Sequence, residues 1–228
     1  MTSPSKLLKN GCFKDALGQF LCREWKEQHH AAFLGGKQLY VSYGGDCTRI
    51  YVDAAGVILN DKPLSFQGIH EEADTLIPFH VAQISGNVLV RATDTDVLVL
   101  LVGMLGRDKR NGDLAKYDRI ILDCGQGNDR RLADVSQISI KLEEMHEGLS
   151  AAVIGFHSMT GTDFTSAFFG KGKKRPWSVL LKNLEYVEWF ISLGLPEDPD
   201  ETKCEEFVLL LYSLENSTDV NSARYNKL

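Results

Sequence analysis

The sequence predicts an α/β fold: a parallel sheet flanked by helices, followed by a helical C-terminal region. Three observations predict it. The segments "NVLVRA" (87–92) and "RIILD" (119–123) are mostly apolar, as strands covered on both faces of a parallel sheet are. Helical periodicity lies before, between and after them, at 71–84, 96–105 and about 134–145. From about residue 149 the pattern stays helical almost to the end. With 228 residues, 43% of them hydrophobic and 25% charged, the chain is long enough to fill a core.

Taken in order, residues 5–31 read as an amphipathic helix, with Leu7, Leu8, Phe13, Leu17, Phe20, Leu21 and Trp25 at helical spacing. Three short strands follow at "QLYVSY" (38–43), "TRIYV" (48–52) and "GVIL" (56–59), with Gly44, Gly45 and "DAAG" supplying the turns. The helix predicted over 71–84 contains Pro78, which removes a backbone donor, so it is expected to start late or to kink. The segment "ILDCGQGND" (121–129) reads as a strand running into a Gly-rich turn, because it lacks the Gly-x-Gly-x-x-Gly spacing of a nucleotide loop. In the C-terminal part, "AAVIGFHSM" (151–159), "WSVLLKNLEYVEWFISLG" (177–194) and "ETKCEEFVLLLYSL" (201–214) are helical, and Trp177, Trp189 and Phe190 read as a core stripe.

A net charge of -6 argues against gripping nucleic acid through the overall field, so any such contact must be local. Five scattered cysteines, with no zinc-knuckle spacing, suit reduced thiols and an intracellular setting, nuclear or cytoplasmic. The N-terminus has no apolar signal core. The longest apolar run, Val97 to Leu105, is half of what a membrane span needs, so no membrane contact is expected.

Against this ordinary background the carboxylates are crowded. "HEEADT" holds Glu71, Glu72 and Asp74 at the start of one predicted helix. "ATDTDV" holds Asp94 and Asp96 at the carboxyl end of a predicted parallel strand, the edge where ligands of doubly wound sheets sit. Residues two apart in an extended segment point the same way, so Asp94 and Asp96 can converge. One of them can also cap the next helix, a role Asp fills well, which leaves the second acid to be explained. Like charges so close cost energy unless cations neutralise them, and hard ions such as Mg2+ or Mn2+ prefer oxygen ligands. His70, His80 and His157 flank these segments and read as core or surface histidines, with support of the acidic groups as the alternative. A third element is "MTGTDFTSAFFGKGKKRPW" (159–177), where Asp163 precedes the basic hairpin Gly170, Lys171, Gly172, Lys173, Lys174 and Arg175. Glycines let backbone amides approach a phosphate, and the Lys and Arg add charge without base specificity. A solvated basic turn is the bland reading, and the spacing is not that of a Walker loop.

In this order, "EADT" (72–75), "VLVRATDTDVLVLLV" (88–102) and "MTGTDFTSAFFGKGKKRPW" resemble the acidic region and helix-hairpin-helix-like region of structure-specific 5′ nucleases. That is the flap endonuclease superfamily, with its PIN-like fold. More closely, the chain is similar to uncharacterised animal proteins of transposon-like distribution that carry "HEEADT", "DTDV", "GxDxTSAFFGKGKK" and a terminal "ARY". The resemblance covers roughly residues 68–228 and implies three parts: an N-terminal helix with short strands (1–67), a PIN-like core with the acidic site (68–148), and a helical region with the Gly/Lys hairpin (149–228).

The resemblance implies that Glu72, Asp74, Asp94, Asp96 and Asp163 are the catalytic metal ligands for two Mg2+ or Mn2+ ions. It implies that Gly170, Lys171, Gly172, Lys173, Lys174 and Arg175 contact a nucleic-acid backbone, DNA or RNA, or a K+ ion. Glu71 has no counterpart. Family members begin with a strand ending in a central aspartate; Asp46 and Asp53 end strands here but lie outside that pattern. The chain is therefore expected to be part of a longer protein, to hold metal weakly, to cleave little, and to offer an exposed sheet edge for association. Two other readings stay open. One is a non-catalytic module that binds nucleic acid or protein. The other is a haloacid dehalogenase-type phosphohydrolase, with Asp94 as nucleophile and Asp96 as acid.

Overall fold

A computed structural model describes residues 10–70, 72–113, 116–195, 199–214 and 219–225, with Leu7 and Ser217. The backbone divides into two units, Met1–Gln83 and Ile84–Leu228.

In the first unit, helix α1 (Gly11–Glu24) starts at Asn10, whose side chain accepts the Phe13 N–H at 3.1 Å. The helix expected over 5–31 stops at Glu24. The Trp25 N–H still closes on Leu21 O, but the Lys26 and Glu27 N–H groups bond three residues back, which tightens the chain into a turn. A 3-10 turn at Gln28–His30 and the short helix α2 (Ala31–Leu34) follow. Strands β1 (Leu39–Tyr43), β2 (Asp46–Val52) and β3 (Ile58–Asp61) form an antiparallel sheet in that order. Gly44 and Gly45 turn the first hairpin at φ 57° and 85°, which side chains rarely adopt. Cys22, Leu34 and Ile50 form the buried centre, with Trp25, Leu39, Val41 and Val52 packed around it. Helix α3 (Ala73–Val81) starts two residues later than expected and ends at Val81, and Pro78 sits inside it. Asp46 opens β2 instead of ending a strand and pairs with Lys62 at 2.5 Å, and Asp53, just after β2, accepts the Ala55 and Val57 N–H groups, so both acids have local structural work.

The second unit carries a sheet of order β4-β5-β6, from β4 (Gly86–Arg91), β5 (Tyr117–Cys124) and β6 (Arg131–Asp134). β4 and β5 are parallel, with Val88 opposite Ile120 and Val90 opposite Leu122, and are joined through helix α4 (Thr95–Asn111). β6 returns antiparallel, so this sheet is mixed. Nor is it covered on both faces. Val88, Val90, Ile120 and Leu122 are buried, while Leu89 and Leu132, on the opposite face, are 68% and 67% exposed. β4 lies at one edge of the sheet.

Helices α5 (Val135–Met145) and α6 (Leu149–Met159) pack with α4. The α4–α6 approach is close enough that a Cβ on Gly106 would lie 2.3 Å from the Ala151 nitrogen. The remaining helices are α7 (Lys174–Leu180), α8 (Val187–Ser192), α9 (Glu201–Tyr212) and α10 (Val220–Tyr225). The helix expected over 177–194 is therefore broken. The Asn183 side chain donates to Val179 O at 2.8 Å, and a 3-10 turn at Leu184–Tyr186 redirects the chain. Phe156, Trp189, Phe190 and Phe207 form an aromatic core with edge-on contacts, and Trp177 packs against it. No helix among the described residues is long and apolar enough to cross a membrane.

Candidate metal centre

β4 ends at Arg91 and α4 begins at Thr95, so Asp94 and Asp96 fall where the chain leaves the carboxyl end of a parallel strand. Asp94 is the N-cap. Its backbone is extended, at φ −80° and ψ 137°, and its Oδ1 accepts the Asp96 N–H at 2.9 Å. Asp96, in the first helical turn, receives a different partner: His157 Nε2 lies 3.0 Å from its Oδ1. His157 belongs to α6 and is mostly buried, which fixes the ring and through it the carboxylate.

The two aspartates offer carboxylate oxygens within 4.8 Å of each other. Oδ2 of each takes no part in the bonds just described. Carboxylate oxygens at that spacing could hold a metal ion. The Asp96 charge also acts on Lys173. Partial burial pushes that ammonium below its ordinary value, and Asp96 pulls it back up.

Compared with family models, curated proteins and solved structures, the chain gives no match.

Asp163 does not join the pair. It is exposed on the loop after α6, where Thr162 and Thr165 bond to each other, and it has no carboxylate oxygen within 4.8 Å of both Asp94 and Asp96. In the first unit, Glu72 stands at the N-cap of α3, exposed and without a side-chain capping bond. Asp74 lies in the first turn of that helix and is half-buried. Glu71 lies outside the described residues. His70 bonds Thr75 at 3.0 Å and His80 bonds Ser42 at 3.1 Å; burial holds the His80 imidazole below its ordinary value.

The basic segment is a turn leading into α7. Gly170 takes φ 66°, and residues Gly170 to Arg175 line a shallow, open depression. Its cations differ in freedom. Lys173 donates to His157 O, Thr160 Oγ1 and Gly161 O, at 3.1, 3.2 and 2.6 Å, so its three N–H groups close the C-terminal end of α6. Lys171 lies over the Tyr212 ring, 5.0 Å from its centre, and Arg175 donates to Ser213 Oγ at 3.0 Å. Lys174 opens α7 and is exposed.

Sequence reasoning passed over Asp123, the acid that ends β5. It is buried and held by two guanidinium groups: Arg130 at 2.8 and 2.7 Å, and Arg91 at 2.7 Å. The hydrogen bonds from Arg130, with those from Arg91, hold its carboxyl at about 2. The signal was present in "LDCGQGNDR": an acid and an arginine on either side of a Gly-rich turn tight enough to bring them together. Gly125 shows how tight, since its φ is 79° and a Cβ there would meet Asp129 O at 2.3 Å.

Proposed function

We propose that the chain carries a PIN-like, divalent-metal-dependent nuclease-type site acting on nucleic-acid phosphodiesters. The observation that carries this reading is the Asp94–Asp96 pair at the carboxyl end of a parallel strand, with one carboxylate oriented by His157. Bound Mg2+ or Mn2+ would supply charge for a developing oxyanion and activate water at neutral pH. The protein's own groups do the rest. The capping bond sets Asp94, His157 sets Asp96, and both carboxylates are thus arranged before an ion arrives. The exposed Lys174 and Arg175, with the half-buried Lys171, supply backbone contact, while Lys173 serves the fold. The sequence resemblance adds Glu72, Asp74 and Asp163 as further ligands.

The test is calorimetric titration of Mn2+ into the wild-type chain and into Asp94→Asn/Asp96→Asn. It is joined to cleavage assays on flap-structured DNA, single-stranded DNA and RNA. Weak Mn2+ binding and little cleavage are expected of the wild-type chain, and neither of the double variant. Unchanged Mn2+ binding in that variant sinks the reading. A second reading, a module that binds nucleic acid without turnover, is favoured by the basic turn, whose Lys174 and Arg175 are exposed. Nucleic-acid binding with no cleavage at saturating Mn2+ would select it.

A further inference from the structure

A second set of ligand atoms lies in the first unit, and its chemistry differs from that of the aspartate pair. The chain reads Glu24-Trp-Lys-Glu-Gln-His29-His30. In one continuous helix Glu24 and His29, five residues apart, would not share a face. The break after Glu24 changes this. Successive three-residue turns carry the chain back, and the His30 N–H closes on Glu27 O at 3.0 Å. The segment is then pinned. Gln28 donates to Gly56 O at 2.8 Å and accepts the Ile58 N–H at 3.1 Å, so one amide clamps it to the turn before β3 and to that strand. Trp25, packed on the buried centre, holds the His30 ring at 4.8 Å between ring centres.

The result is a cluster of three donors. Glu24 Oε1 lies 3.3 Å from His30 Nε2 and 3.6 Å from His29 Nε2, and the three atoms are all within 4.8 Å of one another. A hydrogen bond accounts for the His30 contact at most, since 3.6 Å is too long for the His29 one. An ion pair with protonated imidazoles is compatible with both contacts, and so are the edges of one tetrahedral ligand set. Zn2+ with ligand bonds of about 2.0–2.2 Å has edges between neighbouring ligands of about 3.3–3.6 Å. The side chains grade from mostly buried His30 (19% exposed) through Glu24 (44%) to exposed His29 (64%), so the cluster opens to solvent on one side.

We propose that Glu24, His29 and His30 form a binding site for a Zn2+-class ion, with two imidazole nitrogens, one carboxylate oxygen and a fourth position left to water or an exogenous ligand. Two nitrogen donors favour Zn2+, Ni2+ or Cu2+ over Mg2+ and Mn2+, and three protein ligands with an open position is the pattern of accessible rather than closed structural zinc. Binding takes each imidazole as the neutral base at Nε2 and releases any proton held there.

The test titrates Zn2+ calorimetrically into metal-stripped chain in excess Mg2+, which occupies oxygen-donor sites. It compares wild type with His29→Ala, Glu24→Gln and Asp94→Asn/Asp96→Asn, checking each fold by far-UV circular dichroism. One equivalent of Zn2+ is expected to bind wild type and the double aspartate variant alike, and at least about tenfold more weakly to His29→Ala and to Glu24→Gln. His29 is exposed, so its removal tests the site without a core change. Equal affinity in wild type and His29→Ala, or loss of Zn2+ binding in the aspartate variant, would overturn the proposal, placing the ion on the cysteines or on the aspartates instead. Equal affinity in wild type and His29→Ala leaves Mn2+ binding by the aspartate pair untouched, so the two proposals fail separately.

Discussion

β4 and β5 run side by side and in the same direction, and each delivers aspartate to the carboxyl edge of the same sheet. The protein treats the two ends in opposite ways. Asp123, at the end of β5, is buried and enclosed by Arg91 and Arg130, and its own backbone carbonyl accepts the Ala92 N–H at 3.2 Å. Asp94 and Asp96, beyond the end of β4, receive a backbone N–H and one imidazole. Position in the sheet is therefore not enough to mark a functional acid. What separates the two is the partner set: two guanidinium groups enclose Asp123, while Asp94 and Asp96 are carboxylates that could hold a metal ion.

The largest expected effect tests the sealed end. Asp123→Ala removes the acceptor of three charge-assisted contacts and leaves Arg91 and Arg130 facing each other. Its thermal midpoint should fall by on the order of 5 °C or more, well beyond any change in Asp96→Asn. A midpoint within a degree of wild type in calorimetry would mean that the arginines contribute nothing there.

The same contrast has a pH signature. The folded Asp123 carboxyl titrates at about 2, below its ordinary value of about 3.9 in an unfolded chain. A depressed carboxyl stabilises the fold fully above the unfolded value, and this contribution is lost as pH falls through the folded one. Stability from this group should therefore decline between about pH 4 and pH 2 and not at neutral pH. Urea midpoints of wild type and Asp123→Asn across that range check it: the gap between the two curves should narrow as pH falls, and a constant gap would remove Asp123 from the acid response.

How much of this edge the sequence discloses depends on the range of the interaction. Apolar periodicity is local, so β4, β5, α4 and α6 are legible within a few residues, and so is Asp94 as a cap. The four-residue β6 is not, because "RLAD" has too few residues to show a period; only the Gly125 turn announces it. Nor is the exposed face legible from composition. Leu89 is as apolar as Val88 and Val90, yet alternation along the strand sends it to the other side. The break after Glu24 was missed because Trp25 fits the helical spacing of the residues before it, while its N–H is the last to close a full helical turn. His157 and Asp96 meet across two helices, and Asp123 meets Arg91 across two strands. No pattern within either segment encodes such pairs, which follow only from the packing of α6 on α4 and the register of β4 with β5.

The smallest predicted effect separates the two roles that Asp94 fills at once. As a cap it accepts the Asp96 N–H with one oxygen, a task that asparagine performs about as well and alanine cannot. As a ligand it offers negative charge, which neither replacement keeps. Asp94→Ala should therefore cost about 1 kcal/mol of stability, and Asp94→Asn only a small fraction of that. Both should weaken Mn2+ binding to a similar degree, because a neutral amide oxygen is a poor substitute for a carboxylate facing a divalent ion. Urea denaturation and Mn2+ calorimetry on the same two proteins read the two roles independently. If stability separates alanine from asparagine while Mn2+ binding stays at the wild-type level in both, Asp94 is a cap alone, and the open end of the sheet is as structural as the sealed one.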